Sequence, residues 1–151
     1  MSAVFLSFAS LAGYFLFLLR VTSWPNAFLP FFTVSTLMCL LYASAMSGLL
    51  KPGAYCLTAL GLAAGAAGAY FSRNRLKEYF GRLLEPGTAI FIFLSILLWA
   101  AYRGVQYSAW DEFSHWGLAI KEIFTRNSLI PANSALACKD YPPATALFQY
   151  Y

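Results

Sequence analysis

The chain has 151 residues, of which 60% are apolar and 11% are charged, and its net charge is +4. Soluble domains carry about 25% charged residues, so this composition excludes an ordinary soluble domain and indicates a protein whose solvent is the lipid bilayer. The cations are grouped between apolar runs rather than spread over one face, which argues against nucleic acid as a partner.

Two apolar runs occupy the first fifty residues. The first, from Ala3 to Leu19, is closed by Arg20 and lacks the basic start of a cleaved signal peptide. The second, from Phe28 to Leu50, ends at Lys51-Pro52-Gly53, which we read as a stop followed by a turn. At a rise of about 1.5 Å per residue, each run predicts a membrane-spanning helix.

The third run, from Tyr55 to Phe71, contains small residues at helical spacing, with Gly61 and Gly65 in a small-xxx-small pattern. Small residues let helix backbones approach closely, so the pattern predicts a helix that packs deep in a bundle. The following stretch, from Ser72 to Arg82, contains four basic residues. It predicts a solvated cytoplasmic connector, because loops on that side carry an excess of Lys and Arg.

The fourth run extends from Thr88 to Tyr107, after a predicted turn at Pro86-Gly87. If all runs span the bilayer, the Arg20 loop is cytoplasmic, the Lys51 turn and the N-terminus are extracytoplasmic, and everything from Ser108 onward is extracytoplasmic. The expected fold class is an all-α polytopic membrane bundle, with transmembrane helices in residues 1–107.

Residues 108–143 are predicted to form an extracytoplasmic loop with an amphipathic helix, which Ser108 or Asp111 can cap and which ends near Asn127. On a helical wheel one face is apolar and the other is polar: the apolar face holds Phe113, Trp116, Ile120, Ile123 and Phe124, and the polar face holds Asp111, His115 and Glu122. Such a helix is suited to the membrane interface. Residues 144–151 resemble the start of a further transmembrane helix, so we expect the sequence to be part of a longer protein.

The acidic pair Asp111-Glu112 is the first candidate for chemistry. A carboxylate can act as a general base, two together can hold a divalent cation, or the pair can simply complement the positive end of a helix. His115 lies one turn from Asp111, and Trp110 and Trp116 bracket both at the expected depth of the headgroups. His115 could complete a metal site with Asp111 and Glu112, or could instead be a hydrogen-bonded structural residue.

The second candidate is Asp140-Tyr141-Pro142-Pro143. The prolines favour an extended, stiff segment that both leads into the next helix and holds Asp140 and Tyr141 beside the acidic helix. Lys121 is a cation on the same predicted side of the membrane, where it could bind a phosphate or remain solvated.

These features together resemble the membrane glycosyltransferases of the GT-C superfamily. The similarity is to the branch of dolichyl-phosphate-mannose and aminoarabinose transferases and to related bacterial cell-surface polysaccharide enzymes. It lies in the last forty or so residues, where Trp110 to Trp116 correspond to the acidic motif of the first loop and Tyr141-Pro142-Pro143 to the Tyr-Pro-Pro motif. Relatives commonly reach the acidic motif after the first span, whereas here it follows the fourth.

The resemblance implies transfer of a sugar from a polyprenyl-phosphate donor to an extracytoplasmic glycan, lipid or protein acceptor. Asp111 would be the catalytic base and Glu112 a supporting carboxylate. His115, Lys121, Asp140, Tyr141, Pro142 and Pro143 would contribute to substrate binding. A divalent ion such as Mg²⁺ or Mn²⁺ could be held by Asp111, Glu112 and His115.

Two other functions stay open from the sequence. A transporter or flippase fragment for a cell-envelope glycolipid would be expected to carry an ionisable residue at mid-membrane, and the apolar runs contain none. A non-catalytic membrane subunit that docks through the amphipathic helix is also compatible with the residues.

Overall fold

A computed structural model describes residues 3–74, 76–104, 116–136 and 143–151. All regular elements in these ranges are α-helices, which confirms the predicted all-α class. They are α1 (Ala3–Val21), α2 (Phe28–Met46), α3 (Leu50–Ser72), α4 (Leu76–Leu83), α5 (Pro86–Tyr102), α6 (Gly117–Arg126) and α7 (Ala144–Tyr150).

Two of these helices, α2 and α3, are long and apolar enough to cross a membrane. Only 28% and 22% of their most apolar windows are buried within the protein, whereas the core helix of a soluble protein is mostly buried. The apolar segments described in α1 and α5, Phe5–Val21 and Pro86–Tyr102, are slightly shorter than the two candidate spans. Two of the four predicted runs therefore satisfy the length and composition expected of a span.

The described chain divides into two compact units. The first contains residues 3–35 and 58–104, apart from residue 75, and the second contains residues 36–57, 116–136 and 143–151. Helices α2 and α3 contribute residues to both units.

In the first unit, α1 lies against the glycine-containing half of α3. A β-carbon added to Gly65 would stand 2.9 Å from the α-carbon of Gly13, and one added to Gly68 would stand 3.2 Å from the α-carbon of Phe17. Further along, the Arg20 side chain donates to the carbonyl of Phe71 at 3.4 Å. The contacts advance along both helices in the same direction, so α1 and α3 are parallel. The close approach predicted for the small residues is confirmed, whereas the predicted place deep in a bundle is not, because only 22% of the most apolar window of α3 is buried.

A polar cluster joins α4 to the segment between α1 and α2. The Arg82 guanidinium donates to the carbonyls of Leu19, of Thr22 at 2.7 Å and of Trp24 at 3.1 Å, and to the Oδ1 of Asn26 at 3.4 Å. Asn26, which is 4% exposed, donates in turn to the Arg82 carbonyl.

The prediction of an ordinary solvated connector from Ser72 to Arg82 is therefore confirmed for the exposed Arg73 and Lys77 but wrong for Arg82. The stretch contains a helix, and one of its cations is bound by the α1–α2 segment. The carbonyls at the end of a helix lack backbone partners, and a guanidinium carries several donors in a fixed fork that can satisfy them.

The second unit contains the hairpin between α2 and α3. Gly48 has a positive φ of 71°, and the amides of Gly48 and Leu49 donate to the carbonyls of Ala45 at 3.0 Å and Ser44 at 2.8 Å. These two bonds form a Schellman motif, which ends a helix at a left-handed glycine.

The predicted turn at Lys51-Pro52-Gly53 is wrong, because these residues lie in the first turn of α3. Proline fits there because first-turn amides have no partner within the helix. Pro86-Gly87 was expected to be a turn as well, but Pro86 is the first residue of α5, for the same reason.

Helix α5 is apolar on all sides, and its large apolar side chains are exposed on the surface of the protein. Thr88 is its buried residue, and accepts a hydrogen bond from Asn26 at 3.3 Å. Near its other end the Arg103 guanidinium lies 5.1 Å from the centre of the Trp99 ring. A helix that is hydrophobic all round is typical of a segment surrounded by lipid, and a Trp-Arg pair at its end is typical of the interface.

Candidate functional site

Most of the residues predicted to carry chemistry lie outside the described ranges. These are Asp111, Glu112, His115, Asp140, Tyr141 and Pro142. The described neighbours of both motifs are α6, which follows the acidic motif in the chain, and α7, which follows the Tyr-Pro-Pro motif. Of the predicted site residues themselves, the structure describes Lys121 and Pro143.

Helices α6 and α7 are joined near their C-terminal ends. The Tyr150 hydroxyl donates to the Oδ1 of Asn127 at 2.6 Å, and the Tyr150 ring lies 5.0 Å from the ring of Phe124. Ile123 of α6 and Leu147 of α7 are both fully buried. The segments that follow the two motifs are therefore held together by a polar contact, an aromatic contact and buried apolar residues.

Asn127 has a backbone conformation that is uncommon for a residue other than glycine. It caps α6 in the left-handed region, with φ 53° and ψ 36°, and its amide donates to the Ile123 carbonyl at 2.8 Å. Asn enters this region more easily than most residues other than glycine. The predicted end of the amphipathic helix near Asn127 is confirmed, whereas its predicted start near Ser108 or Asp111 lies in residues 105–115, which are not described.

Glu122 holds the loop after α6. Its carboxylate forms an ion pair with the Arg126 side chain at 2.8 Å and accepts a hydrogen bond from the Ser134 hydroxyl at 2.8 Å, while its side chain is only 16% exposed. The Ser134 hydroxyl also accepts a hydrogen bond from the Leu136 amide at 3.2 Å. Glu122 was expected on the polar face, and the structure shows that it is tied to Arg126 and Ser134.

Lys121 and Pro143 occupy different positions. Lys121 lies on the exposed side of α6, next to Glu122 in sequence. Pro143 immediately precedes α7, and its carbonyl accepts a hydrogen bond from the Leu147 amide at 2.8 Å. The predicted role of the second proline as the start of the next helix is confirmed, and Lys121 presents an ammonium group that an anion could reach.

Sequence reasoning did not identify the contacts of Asn127, Ser134 and Tyr150. Glu122 and Arg126 could have been paired from their spacing of four residues on a helix. The hydrogen bond from Tyr150 to Asn127 joins residues 23 positions apart in the chain, and no local sequence pattern predicts it.

A metal site is not assembled by the residues that the structure describes. Among them there is no group of three or more His, Cys, Asp or Glu side chains that could hold a metal ion. The three ligands predicted from the sequence, Asp111, Glu112 and His115, lie outside these ranges, so the metal stays a prediction.

Comparison with known protein families, with characterised proteins and with solved structures gave no match for this chain.

Proposed function

We propose that this chain belongs to a multi-pass membrane glycosyltransferase that moves a sugar from a polyprenyl phosphate to an extracytoplasmic acceptor. The composition, the two candidate spans α2 and α3, and the lipid-compatible surface of α5 support the membrane part of the proposal. The order of the acidic motif and the Tyr-Pro-Pro motif, each followed by a described helix, supports the catalytic part.

One observation carries the proposal beyond the sequence. Helices α6 and α7 are held together through Asn127, Phe124 and Tyr150, although the motifs that precede them are far apart in the chain. A site assembled from both motifs is favoured when the helices that follow them are neighbours. The contact supports this, although it lies at the C-terminal ends of the two helices and the motifs precede their N-terminal ends.

The proposed reaction is a displacement at the anomeric carbon of the donor sugar. The Asp111 carboxylate accepts the proton of the acceptor hydroxyl while the hydroxyl oxygen forms a bond to the anomeric carbon. The bond between that carbon and the phosphate oxygen breaks, and polyprenyl phosphate leaves with the bonding electron pair. Negative charge on the departing phosphate is stabilised by a nearby cation, and the exposed Lys121 is the described residue suited to that role.

The test compares membranes that contain the wild-type protein with membranes that contain Asp111→Asn. We expect sugar transfer from polyprenyl-phosphate donors to fall by roughly 100-fold or more, because general-base catalysis contributes about that much. Glu85→Gln is the matched control, since Glu85 is an exposed carboxylate at the start of α5. Full transfer by Asp111→Asn at equal protein level would overturn the proposal.

A non-catalytic membrane subunit is the second candidate, and one observation favours it. On the apolar face of α6 and the residue before it, Trp116 and Phe124 are 43% and 48% exposed, which gives an apolar surface that could dock a partner. The same Asp111→Asn variant separates the two functions, because a docking subunit would assemble and act normally without this carboxylate. Changing Trp116 to Ser would instead impair assembly.

A further inference from the structure

We propose that the end of α3, α4 and the end of α1 form a binding surface for the headgroups of anionic phospholipids. We name it the α3–α4 basic surface, and it consists of Arg20, Arg73 and Lys77. It lies in the first unit, in a part of the chain that the proposed transfer reaction does not use. The inference relies on the membrane topology in the proposed function and is independent of the glycosyltransferase chemistry.

Two guanidinium groups are held at the C-terminal end of α3. The Nε of Arg20 donates to the Phe71 carbonyl at 3.4 Å, and the Arg73 guanidinium lies 4.3 Å from the centre of the Tyr70 ring. Each contact uses only part of the guanidinium, which has five donors. Both groups therefore retain donors for a phosphate, and arginine is well suited to binding phosphate oxygens.

Helix α4 adds an ammonium group and an apolar surface next to these cations. Lys77 is exposed, and the large apolar residues Phe80 and Leu84 are 52% and 73% exposed. At about 100° per residue, Lys77 lies on the same side of α4 as Phe80 and as Leu84, which directly follows the helix. The long stem of a lysine can lie along apolar surface while its ammonium group stays at the depth of the headgroups. Trp24 in the α1–α2 segment is 41% exposed, and tryptophan is enriched at that depth.

The Arg82 cluster fixes α4 in this position. Arg82 is itself occupied by the Leu19, Thr22 and Trp24 carbonyls, so it serves as an anchor rather than as a lipid ligand. The cluster ties α4 to the same end of α1 that carries Arg20. The three cations of the surface are thus held at one end of the parallel pair α1 and α3.

The charge of the surface determines the class of its ligand. The acidic residues along the same stretch are Glu78, on α4, and Glu85, which lies beyond Arg82 at the start of α5. Three cations against these carboxylates leave a positive surface beside exposed apolar side chains. An anionic phospholipid can bind both parts of this surface, because its phosphate attracts the cations and its acyl chains pack against Phe80 and Leu84.

The experiment measures lipid preference with the purified full chain in detergent. Native mass spectrometry compares binding of phosphatidylglycerol and phosphatidylcholine to the wild type and to the double variant Arg73→Gln/Lys77→Gln. We expect the wild type to prefer phosphatidylglycerol and the double variant to lose that preference roughly tenfold or more, because each cation near an anionic surface contributes on the order of fivefold. Added salt should weaken the wild-type preference.

Three controls make the outcome specific. The swap Arg73→Lys/Lys77→Arg keeps both charges and should keep the preference, as should Lys51→Gln, which removes an exposed cation from the second unit. Glycerol phosphate, which lacks acyl chains, should not compete at the concentration at which the lipid binds.

Several results would overturn the proposal. One is an unchanged preference in the double variant, and another is an equal loss in Lys51→Gln. Full competition by glycerol phosphate would point to a site for a free phosphate. Because Asp111→Asn leaves these residues intact, failure of the lipid proposal and failure of the transfer reaction are observed separately.

Discussion

Arg82 differs from the neighbouring cations in what it binds. From the sequence it is one of several basic residues that mark a cytoplasmic connector. In the structure its guanidinium donates to four oxygens between Leu19 and Asn26. These oxygens lie at and beyond the end of α1, where the helix dipole favours a positive charge.

We expect Arg82→Gln to lower the free energy of unfolding by about 2–3 kcal/mol, because hydrogen bonds of a charged donor are lost and carbonyls are left without partners. Arg82→Lys should recover only part of this, since an ammonium group lacks the planar fork of the guanidinium. The measurement is thermal unfolding in detergent, followed by circular dichroism. Lys51→Gln is the control for loss of an exposed cation, and equal melting temperatures for it and Arg82→Gln would contradict the assigned role.

The pattern of basic residues predicted the exposure of some cations correctly, but not of all. Arg73 and Lys77 are exposed, as a count of cations in a cytoplasmic loop predicts. Arg82 has the same charge and similar neighbours in sequence, yet it is bound by a segment 56 to 63 residues away. Charge pattern alone cannot separate these cases, because the partners are mainly backbone carbonyls, which any sequence would possess.

The parallel helices α1 and α3 approach each other closely at their glycines. A β-carbon on Gly13 would collide with the Gly61 carbonyl oxygen and stand 3.1 Å from the Gly65 amide nitrogen. Lipid gives no hydrophobic driving force between helices, so close approach of small residues supplies the attraction. The glycines are what allows the two backbones to come this close.

We expect Gly13→Ala to destabilise the protein by roughly 1–3 kcal/mol, because the added methyl group meets backbone that cannot move aside without separating the helices. Gly81→Ala is the matched control. Gly81 lies in α4 and has nothing within 4 Å of an added β-carbon, so alanine there should raise stability by about 0.5–1 kcal/mol. Thermal unfolding of both variants in the same detergent tests this pair, and a loss of equal size in both would refute the packing argument.

The hairpin between α2 and α3 shows how an element boundary was misplaced. The second run was expected to end at Lys51-Pro52-Gly53, because proline and glycine are strong helix breakers. In the structure Gly48 ends α2, and Pro52 lies in the first turn of α3. Proline is compatible with a helix start as well as with a turn. The tripeptide therefore predicted the region of the boundary correctly, but not the residue at which α2 ends.

At the scale of the whole molecule, the membrane topology remains a proposal that a labelling experiment can test. A variant whose three cysteines are replaced by serine would carry one new cysteine, either Asn133→Cys or Lys77→Cys, both at exposed positions. We expect a membrane-impermeant maleimide to label Asn133→Cys in intact cells and Lys77→Cys only after permeabilisation. The physical reason is the asymmetry of basic residues between loops.

Labelling of both variants from the same side would contradict the four-span topology, because the positions then could not be separated by an odd number of crossings. Detergent-solubilised protein serves as the control, since both cysteines should react there to the same extent.

The sequence by itself determined the helical class, the approximate bounds of the apolar helices and the closeness of small residues on α3. These depend on composition and on spacing over a few residues, which a single segment carries within it. The acidic motif, the Tyr-Pro-Pro motif and their proposed chemistry also come from the sequence, and their roles stay predictions.

Only the tertiary structure decided which residues meet across the chain. It paired Arg82 with the α1–α2 segment, Gly13 with Gly61, and Tyr150 with Asn127. The physical reason is that each contact joins residues at least 23 positions apart in the chain. Arg82 needs backbone carbonyls, Gly13 needs a neighbour without a side chain, and Tyr150 needs an asparagine at a helix end, and each of these must be brought opposite its partner. Local propensity fixes each helix, but the register between helices is set by packing, and it is the register that selects the partners.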